Sequence, residues 1–314
     1  MLSLIQLEYI VAVDTYRHFA TAAEKCFVTQ PTLSMQIKKL EEDLDVIVFD
    51  RSKQPVIPTL AGKKIIDQAR IVLNESQRLP IIAQESKDEI NGHIHIGIIP
   101  TISPYLLPRF AGNFRRKYPK VILNIEELVT EHVIEKLRNG TIDVGIIVTP
   151  LDENGIFETP LYYEEMMIYS SVNHPYTKKA VVNVNQIKPD DIWLLNDGHC
   201  FRHQVVNLCD FNPQSTASLP FEFEGGSIDT LMKIIDIEGG YTLIPELTYL
   251  DLQESKKDQV RKFENIIPLR EVSLVFTRKF EKTSVISKLA EEIKRSIPES
   301  LLDSKRGTRV AWKK

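Results

Sequence analysis

From residue 93 to residue 297 the sequence alternates between short β-type runs and amphipathic helical runs, and this alternation constrains the fold more than any other feature. Strand–helix–strand repeats predict a parallel sheet with right-handed crossovers, and therefore an α/β fold. The repeats form two successive sets, which predicts two lobes, and the last strand and helix are expected to return to the first lobe. The predicted strands are 93–99, 121–126, 143–148, 166–171, 192–195, 221–224, 241–244 and 271–276, and the predicted helices are 104–118, 130–139, 200–209, 227–237 and 284–297.

Two of the three cysteines, Cys200 and Cys209, stand nine residues apart in the second set. Phe201, Val205 and Leu208 between them recur at i, i+4 and i+7, which predicts a short amphipathic helix. Nine residues of helix place the two ends roughly 13 Å apart, whereas a disulfide needs Cα atoms within roughly 7 Å. If the segment is helical when reduced, the two sulfurs join only after it unwinds, which indicates a conformational switch.

The neighbours of Cys200 favour a reactive thiolate, because His199 and Arg202 supply donors or positive charge and the residue lies at a helix N-terminus. Thiolate is oxidised to sulfenic acid, and a second thiol condenses that acid to a disulfide. Spacing alone favours two ordinary half-buried cysteines. A metal site of Cys200, His203 and Cys209 is a weaker alternative, because no fourth ligand follows at a recognisable spacing.

The first 59 residues predict a helix-turn-helix unit. Helices are expected at 4–16 and 19–26, and a third helix begins near Pro31. The third helix has one apolar stripe and a polar outer face, which is typical of a recognition helix that enters the major groove. An ordinary amphipathic helix with a solvated face fits the same spacing. The stripe consists of Leu33, Ile37, Leu40 and Leu44.

A two-stranded wing is expected at 46–50 and 54–59, followed by a long helix at 60–82 that Thr59 caps. Pro80 is expected to end or kink this helix. Polar residues 86–92 mark a boundary between domains, and residues 301–314 form a basic tail whose end is expected to fray. An apolar seam along the long helix predicts a partner helix, and it consists of Leu60, Ile66, Ala69, Leu73 and Leu79.

The composition of the chain indicates its cellular compartment but not its activity. The formal net charge of −4 gives no support for nucleic-acid binding, so that case rests on the local pattern. No apolar run approaches the roughly 18 residues of a spanning helix, and no signal-peptide pattern opens the sequence. Three cysteines do not form a secreted disulfide framework. We therefore expect a cytoplasmic protein without a membrane partner, in which a disulfide would be transient.

The segment Asp197–Gly198–His199–Cys200–x–Arg202–x–Gln204, followed by Cys209, resembles the redox-sensing segment of OxyR-type peroxide sensors, a group of the LysR-type transcriptional regulators. One departure is His203, which stands where the family has an acidic residue. Further stretches resemble the winged helix-turn-helix and the glycine-to-proline segment of LysR-type regulators, and they are 22–24, 28–34, 36–41, 49–51 and 239–245.

This resemblance implies a winged helix-turn-helix at 1–59, a linker helix and hinge at 60–90, and a two-lobed regulatory domain of periplasmic-binding-protein type at 91–300, before the tail at 301–314. It implies double-stranded promoter DNA as a partner, RNA polymerase as a second one, and a homodimer that pairs into a tetramer. The residues expected to contact DNA are Gln30, Pro31, Thr32, Ser34, Gln36, Lys38 and Arg51.

The resemblance also implies a peroxide pocket where loops leave the carboxyl ends of strands. Cys200 would be oxidised there and pair reversibly with Cys209, and a thiol reductant would reset the sensor. No cofactor, metal or enzymatic turnover is expected. The residues expected to bind or activate hydrogen peroxide around Cys200 are Thr101, Thr130, Gly198, His199 and Arg270.

Three other functions remain as alternatives. The first is a LysR-type regulator that binds a small metabolite in the cleft between the lobes, with incidental cysteines. The second is a thiol peroxidase that turns over, against which the DNA-binding pattern argues. The third is a metal-sensing module. The response of a Cys200→Ser variant to peroxide separates the peroxide sensor from the metabolite-binding regulator.

Overall fold

The computed structural model of the 314-residue chain describes residues 2–85, 92–196, 198–210, 225–277 and 284–311. The chain divides into two compact units. The first is built on residues 1–89, and the second takes in 90–137 and 142–314. No helix among the described residues is both long enough and apolar enough to cross a bilayer.

The described residues of the first unit form four helices and a small antiparallel ribbon. They are α1 (Leu4–Tyr16), α2 (Phe19–Lys25), α3 (Gln30–Leu44), β1 (Phe49–Asp50), β2 (Ile57–Pro58) and α4 (Leu60–Glu85). Ser3 and Gln6 form a capping box at the start of α1, and the Thr29 hydroxyl accepts from the backbone N–H of Thr32 at the start of α3. The predicted helix-turn-helix is confirmed, although the strands of the wing are shorter than the sequence predicted.

The long helix α4 corrects two expectations. It does not end at Pro80 but continues to Glu85, because proline removes one helical hydrogen bond but its fixed φ suits a helix; the kink at Pro80 stays a prediction. The predicted seam is also not one face. Ile66 and Ala69 are buried in the core of the first unit, whereas Leu60 is 91% exposed and Leu79 is 68% exposed. At about 100° per residue, Leu60 and Leu79 point away from the buried stripe.

Gly62 lies where α4 passes over the wing. A Cβ at this position would stand 2.0 Å from the carbonyl oxygen of Val48, so only glycine permits the close approach. We expect Gly62→Ala to destabilise the first unit by about 1–3 kcal/mol, or more because the clash is with backbone. Gly112→Ala is a matched control, since a Cβ there meets only the Arg116 side chain at 3.5 Å. Thermal unfolding of both variants tests this; equal melting temperatures would contradict it.

The second unit is a two-lobed α/β domain. Its elements are β3 (Gly92–Ile98), α5 (Ser103–Lys117), β4 (Val121–Glu127), α6 (Thr130–Arg138), β5 (Val144–Thr149), β6 (Ile156–Ser170), β7 (Val181–Val182), α7 (Cys200–Cys209), α8 (Ile228–Glu238), β8 (Tyr241–Pro245), α9 (Glu246–Asp251), α10 (Glu254–Lys257), β9 (Val260–Phe263), β10 (Pro268–Thr277), α11 (Ser284–Arg295) and β11 (Thr308–Arg309).

The sheet of the second unit is mixed, not purely parallel as the alternation predicted. Its order is β4-β3-β5-β10-β6-β9-β7, with β8 on β6 and β11 on β10. The strands β4, β3 and β5 are parallel, but β10 runs antiparallel to both β5 and β6. The physical reason is that β6 and β10 carry the chain between the lobes in opposite directions. The expected return of the last strand and helix to the first lobe is confirmed.

Other strand predictions were less accurate. The first ten residues of β6 and all of β9 were missed. Residues 192–195 form only a single bridge, from Ile192 to Tyr241. The predicted strand 221–224 lies outside the described residues.

Two hydrophobic cores underlie the two lobes, and α7 contacts both. The first-lobe core includes Cys200 together with residues of β3, β5, β10 and α11. The second-lobe core includes Phe201, Val205 and Val206, with Cys209 packed at its margin. The two cysteines at the ends of α7 therefore lie in different cores.

Candidate functional site

Cys200 is the first residue of α7 and is buried, with 3% of its surface exposed. His199 precedes it in extended conformation and makes no side-chain cap to the helix. All three cysteines are free thiols. The predicted helix between Cys200 and Cys209 is confirmed, and its length separates the two ends by about 13 Å.

A buried ion pair lies beside Cys200. Arg270 on β10 and Glu164 on β6 are register partners on adjacent antiparallel strands, and Arg270 Nε donates to Glu164 Oε1 over 2.6 Å. Both side chains are essentially inaccessible to solvent. Burial raises the pKa of Glu164, and the Arg270 guanidinium acts against that shift. Glu164 Oε2 also accepts from the backbone N–H of Leu247, so both oxygens are satisfied.

Arg270 also fixes the loop after β3. Its Nη1 donates to Thr101 Oγ1 over 3.2 Å, and its Nη2 donates to the Thr101 carbonyl over 2.9 Å. Its guanidinium carbon stands 5.3 Å from the ring centre of Phe201, the residue after Cys200. The predicted residues Thr101 and Arg270 are thus in direct contact beside the head of α7.

Thr130 begins α6 and is almost fully buried. Its hydroxyl is close enough to Cys200 to lower the pKa of that thiol, yet its oxygen makes no well-formed hydrogen bond within the described part of the chain. A buried hydroxyl without a partner is unfavourable by about 1–3 kcal/mol. It is therefore ready to bond a small polar molecule next to the sulfur.

Opposing effects act on the Cys200 thiol. Burial is the largest and raises its pKa; the positive charge of Arg270 acts against it, followed by Thr130 and the backbone N–H groups of Phe201 and Cys200. The net direction is upward, so the expectation that local neighbours favour the thiolate is only partly correct. Arg202 does not act as predicted: it donates to the carbonyl of Leu195 over 3.0 Å, and Arg270 from a distant strand supplies the charge.

His199 is buried against Gly226, where a Cβ would stand 2.6 Å from the imidazole Cε1. Burial lowers the pKa of His199, and the charge of Glu131 acts in the opposite direction. The ring is therefore neutral near pH 7 and both donates and accepts. Gly198 has φ +94°, a conformation that glycine adopts without strain. His203, which stands where the family has an acidic residue, is exposed on the outer face of α7.

Cys209 ends α7 in an apolar environment, and burial raises the pKa of its thiol to about 12. It is therefore protonated and inert in this conformation. Among the described residues, no group of three or more His, Cys, Asp or Glu side chains could hold a metal ion. The alternative metal site of Cys200, His203 and Cys209 thus has no geometric support in that part of the chain.

The predicted DNA-contacting residues lie on or next to the exposed side of α3. Gln30, Pro31, Thr32 and Lys38 are exposed, and Ser34 and Gln36 are partly exposed. Gln36 Oε1 accepts from Gln6 Nε2 over 3.3 Å. Arg51 donates to the Ser34 hydroxyl over 3.4 Å, which places the wing residue beside the helix.

Sequence reasoning missed the partners of the two key arginines. Glu41 Oε2 accepts from Arg51 over 2.9 Å, and its Oε1 accepts from the backbone N–H groups of Val48 and Phe49. Glu41 thereby joins α3 to the wing. Glu164 is likewise the carboxylate partner of Arg270. A carboxylate within an apolar β-type run was the only signal for Glu164, and the predicted elements did not include that run.

Comparison with known proteins identifies the class. Residues 4–63 match the family described as bacterial regulatory helix-turn-helix protein, lysR family, and residues 87–298 match the LysR substrate binding domain. The chain belongs to the LysR family of bacterial regulators, which confirms the predicted fold class.

Within that family the chain is similar over nearly its whole length to OxyR proteins. It is 33% identical to the Escherichia coli DNA-binding transcriptional dual regulator OxyR, covering 93% of this chain and 95% of that protein. It is 32% identical to the hydrogen peroxide-inducible genes activator of Haemophilus influenzae, covering 93% and 98%. The structure of a full-length OxyR variant from Pseudomonas aeruginosa superimposes with a TM-score of 0.77 at 33% identity, covering 94% and 98%.

Proposed function

We propose that this protein is a transcriptional regulator that senses hydrogen peroxide by oxidation of Cys200, followed by a reversible Cys200–Cys209 disulfide. The observation that carries the proposal is the buried Cys200 thiol with the buried Thr130 hydroxyl and the Arg270 guanidinium beside it. The relative from Haemophilus influenzae that is named as a hydrogen peroxide-inducible genes activator supports it. The metabolite-binding alternative has no comparable observation in its favour.

In the first step, the Cys200 thiolate attacks one oxygen of the peroxide, and the O–O bond breaks. The sulfur becomes sulfenic acid and the other oxygen leaves as hydroxide, which takes up the thiol proton to form water. The fixed charge of Arg270 stabilises both the thiolate and the leaving hydroxide. Thr101, Thr130 and the neutral His199 supply donors and acceptors for the peroxide, and Gly198 supplies the turn that leads into the site.

In the second step, Cys209 condenses with the sulfenic acid, the S–S bond forms, and water leaves. The helix α7 must unwind first, because its ends are about 13 Å apart and a disulfide requires roughly 7 Å. Unwinding also removes Cys209 from the apolar contacts that raise its pKa to about 12. Its pKa then returns toward the ordinary range of about 8.5, which restores its nucleophilicity.

The disulfide then stabilises a different packing of the second lobe and changes transcription. Closing a loop of this length restricts the unfolded segment by at most roughly 3 kcal/mol, comparable to typical coupling energies between sites. The domain boundaries at 59, 90 and 300 belong to this proposal. The proposal also includes promoter DNA, RNA polymerase and a thiol reductant as partners, a dimer that pairs into a tetramer, and a cytoplasmic location. Leu60 and Leu79 are exposed on different sides of α4, so pairing of this helix with a second copy stays a prediction.

Trapping the first intermediate tests the proposal. In a Cys209→Ser variant, one equivalent of peroxide is expected to yield sulfenic acid at Cys200, detected with a sulfenic-acid-specific probe and peptide mass spectrometry. Labelling of Cys26 instead of Cys200, or no labelling, would overturn the proposed function.

The rate of Cys200 oxidation should rise with pH. Burial raises the pKa of the thiol, so at neutral pH the thiolate is a minor species that increases about tenfold per pH unit below that pKa. His199, with a lowered pKa, stays neutral from pH 7 to 8.5. We expect the second-order rate constant with peroxide, measured in Cys209→Ser, to rise about tenfold per unit over this range. A rate already constant at pH 7 would contradict the raised pKa.

A further inference from the structure

The C-terminal strap, defined here as residues 306–311, lies against two elements of the site. The sequence predicted a fraying tail, but β11 within the strap pairs in parallel with the start of β10. Thr308 N donates to the Ile267 carbonyl and Val310 N donates to the Leu269 carbonyl, each over 2.8 Å. Leu269 immediately precedes Arg270, so the strap is fixed beside the arginine of the site.

The strap also binds α7 through two side-chain amides. Gln204 Nε2 donates to the Val310 carbonyl and Asn207 Nδ2 donates to the Ala311 carbonyl, each over 3.0 Å. The two amides are three residues apart and so share one face of the helix. Gln204 is completely buried. Within the described residues its side chain makes one hydrogen bond, the bond to the Val310 carbonyl.

Ion pairs anchor the strap to parts of the domain other than α7. Arg309 Nη1 donates to Glu271 Oε2 over 2.7 Å, and Arg306 forms a bidentate pair with Glu246. The amides of Gln204 and Asn207 hold their carbonyl partners only while α7 is helical. Unwinding of α7 therefore breaks these two bonds and leaves the rest of the strap in place.

We propose that Gln204 and Asn207 are positioning residues that, through the C-terminal strap, stabilise the helical dithiol form of α7 against disulfide formation. This inference rests on the proposed Cys200–Cys209 disulfide. Each of these two hydrogen bonds must break when α7 unwinds. Each bond therefore favours the dithiol form over the disulfide by about threefold, within the usual range for neutral hydrogen bonds. The strap thus helps to set the redox potential of the Cys200–Cys209 pair.

The test is a redox titration of the whole chain in glutathione buffers, with alkylation and mass spectrometry of Cys200 and Cys209. Asn207→Ala should shift the dithiol–disulfide equilibrium about threefold toward disulfide. Deletion of residues 308–314 should shift it about tenfold, or about 30 mV for this two-electron couple. Asn113→Ala is the matched control, since this amide bonds the Arg109 carbonyl on α5, and it should shift nothing.

A second readout separates positioning from general destabilisation. In a Cys209→Ser background, the rate of sulfenic acid formation should be the same with and without Asn207→Ala, because the strap opposes the second step. If the wild type forms the disulfide normally but both strap variants leave the equilibrium unchanged, the proposed role of the strap is overturned and the proposed function is not. Absence of that disulfide in the wild type would overturn the proposed function as well.

A separate observation concerns the outer face of α3. The buried stripe is centred on Leu33, Ile37 and Leu40, and at about 100° per residue Met35 lies roughly 170° from that centre. Met35 therefore points away from the core, and it is 61% exposed. Its exposed neighbours on this face are Pro31, Thr32, Lys38 and Lys39, and Lys38 pairs with the exposed Glu42 over 3.7 Å.

We infer that Met35 determines operator specificity by contacting the C5-methyl groups of thymines in the major groove. The exposed face of a recognition helix meets base edges, and the thymine methyl is the apolar group presented there. Burying one methyl against the thioether side chain favours binding about fourfold. Methionine is flexible enough to follow the groove without fixed geometry.

The test uses a duplex selected from random sequence by the wild-type chain, with each thymine replaced in turn by deoxyuridine. Wild type should lose about fourfold in affinity at one or more positions per half-site. Met35→Ala should lose the same amount on the thymine duplex and show no further loss with deoxyuridine at those positions. Lys39→Ala, a matched exposed control, should bind all duplexes more weakly but keep the deoxyuridine effect. Full deoxyuridine sensitivity in Met35→Ala, or none in wild type, would overturn the inference.

Discussion

Replacing Cys200 by serine is expected to abolish the response to peroxide, and no other substitution should have a larger effect. A serine hydroxyl is not ionised near neutral pH and does not reduce peroxide, so neither sulfenic acid nor disulfide forms. A transcriptional reporter in peroxide-treated cells should stay at its untreated level. The substitution leaves a hydroxyl in a buried position, which destabilises the domain by only about 1–3 kcal/mol.

Cys26→Ser provides the matched control for that experiment. Cys26 caps the C-terminus of α2 in the first unit and is only partly buried. Its replacement should leave the peroxide response intact. A normal reporter response in Cys200→Ser would instead favour a regulator that binds a metabolite between its lobes.

Arg270→Met is expected to have the second largest effect, on stability and on reactivity together. The substitution leaves Glu164 buried without its partner, and breaking a buried pair in this way destabilises by about 3–5 kcal/mol. It also removes the positive charge that holds down the pKa of Cys200. Each unit of further pKa rise slows thiolate chemistry about tenfold at fixed pH, so we expect oxidation to slow by about tenfold to a hundredfold.

The double variant Arg270→Met with Glu164→Gln separates these two effects. Glutamine removes the buried charge and keeps an acceptor for the Leu247 N–H, so most of the lost stability should return. The rate of Cys200 oxidation should remain low, because the guanidinium is still absent. Thermal unfolding and sulfenic acid trapping measure the two effects. Recovery of the oxidation rate in the double variant would show that Arg270 acts only through packing.

The elements that local pattern determines were predictable from the sequence. The stripe of α3 and the helical spacing of Phe201, Val205 and Leu208 both correspond to helices in the structure. The first part of β6 and the whole of β9 were not predicted, because the strands that they pair with in antiparallel fashion lie far along the chain. For the same reason, the alternation predicted a parallel sheet where the sheet is mixed.

In the candidate site, too, features that depend on local sequence were predictable and features that depend on distant residues were not. Cys200 at the head of a helix followed from local sequence, but the cation that acts on it did not. Sequence neighbours pointed to Arg202, whereas the charge comes from Arg270, seventy residues away and paired across strands with Glu164. Only the family resemblance indicated Arg270. Burial, which raises the pKa of both thiols on α7, is a tertiary effect that no local pattern contains.

The central claim is that Cys200 and Cys209 are held apart by α7 and join only after Cys200 is oxidised. Differential alkylation and peptide mass mapping of the whole chain, before and after one equivalent of hydrogen peroxide, tests it most directly. We predict two free thiols before treatment and a Cys200–Cys209 disulfide after it, reversed by a dithiol reductant. A Cys200 oxidised to sulfinic acid with Cys209 still free, or a disulfide already present in the reduced protein, would contradict this claim.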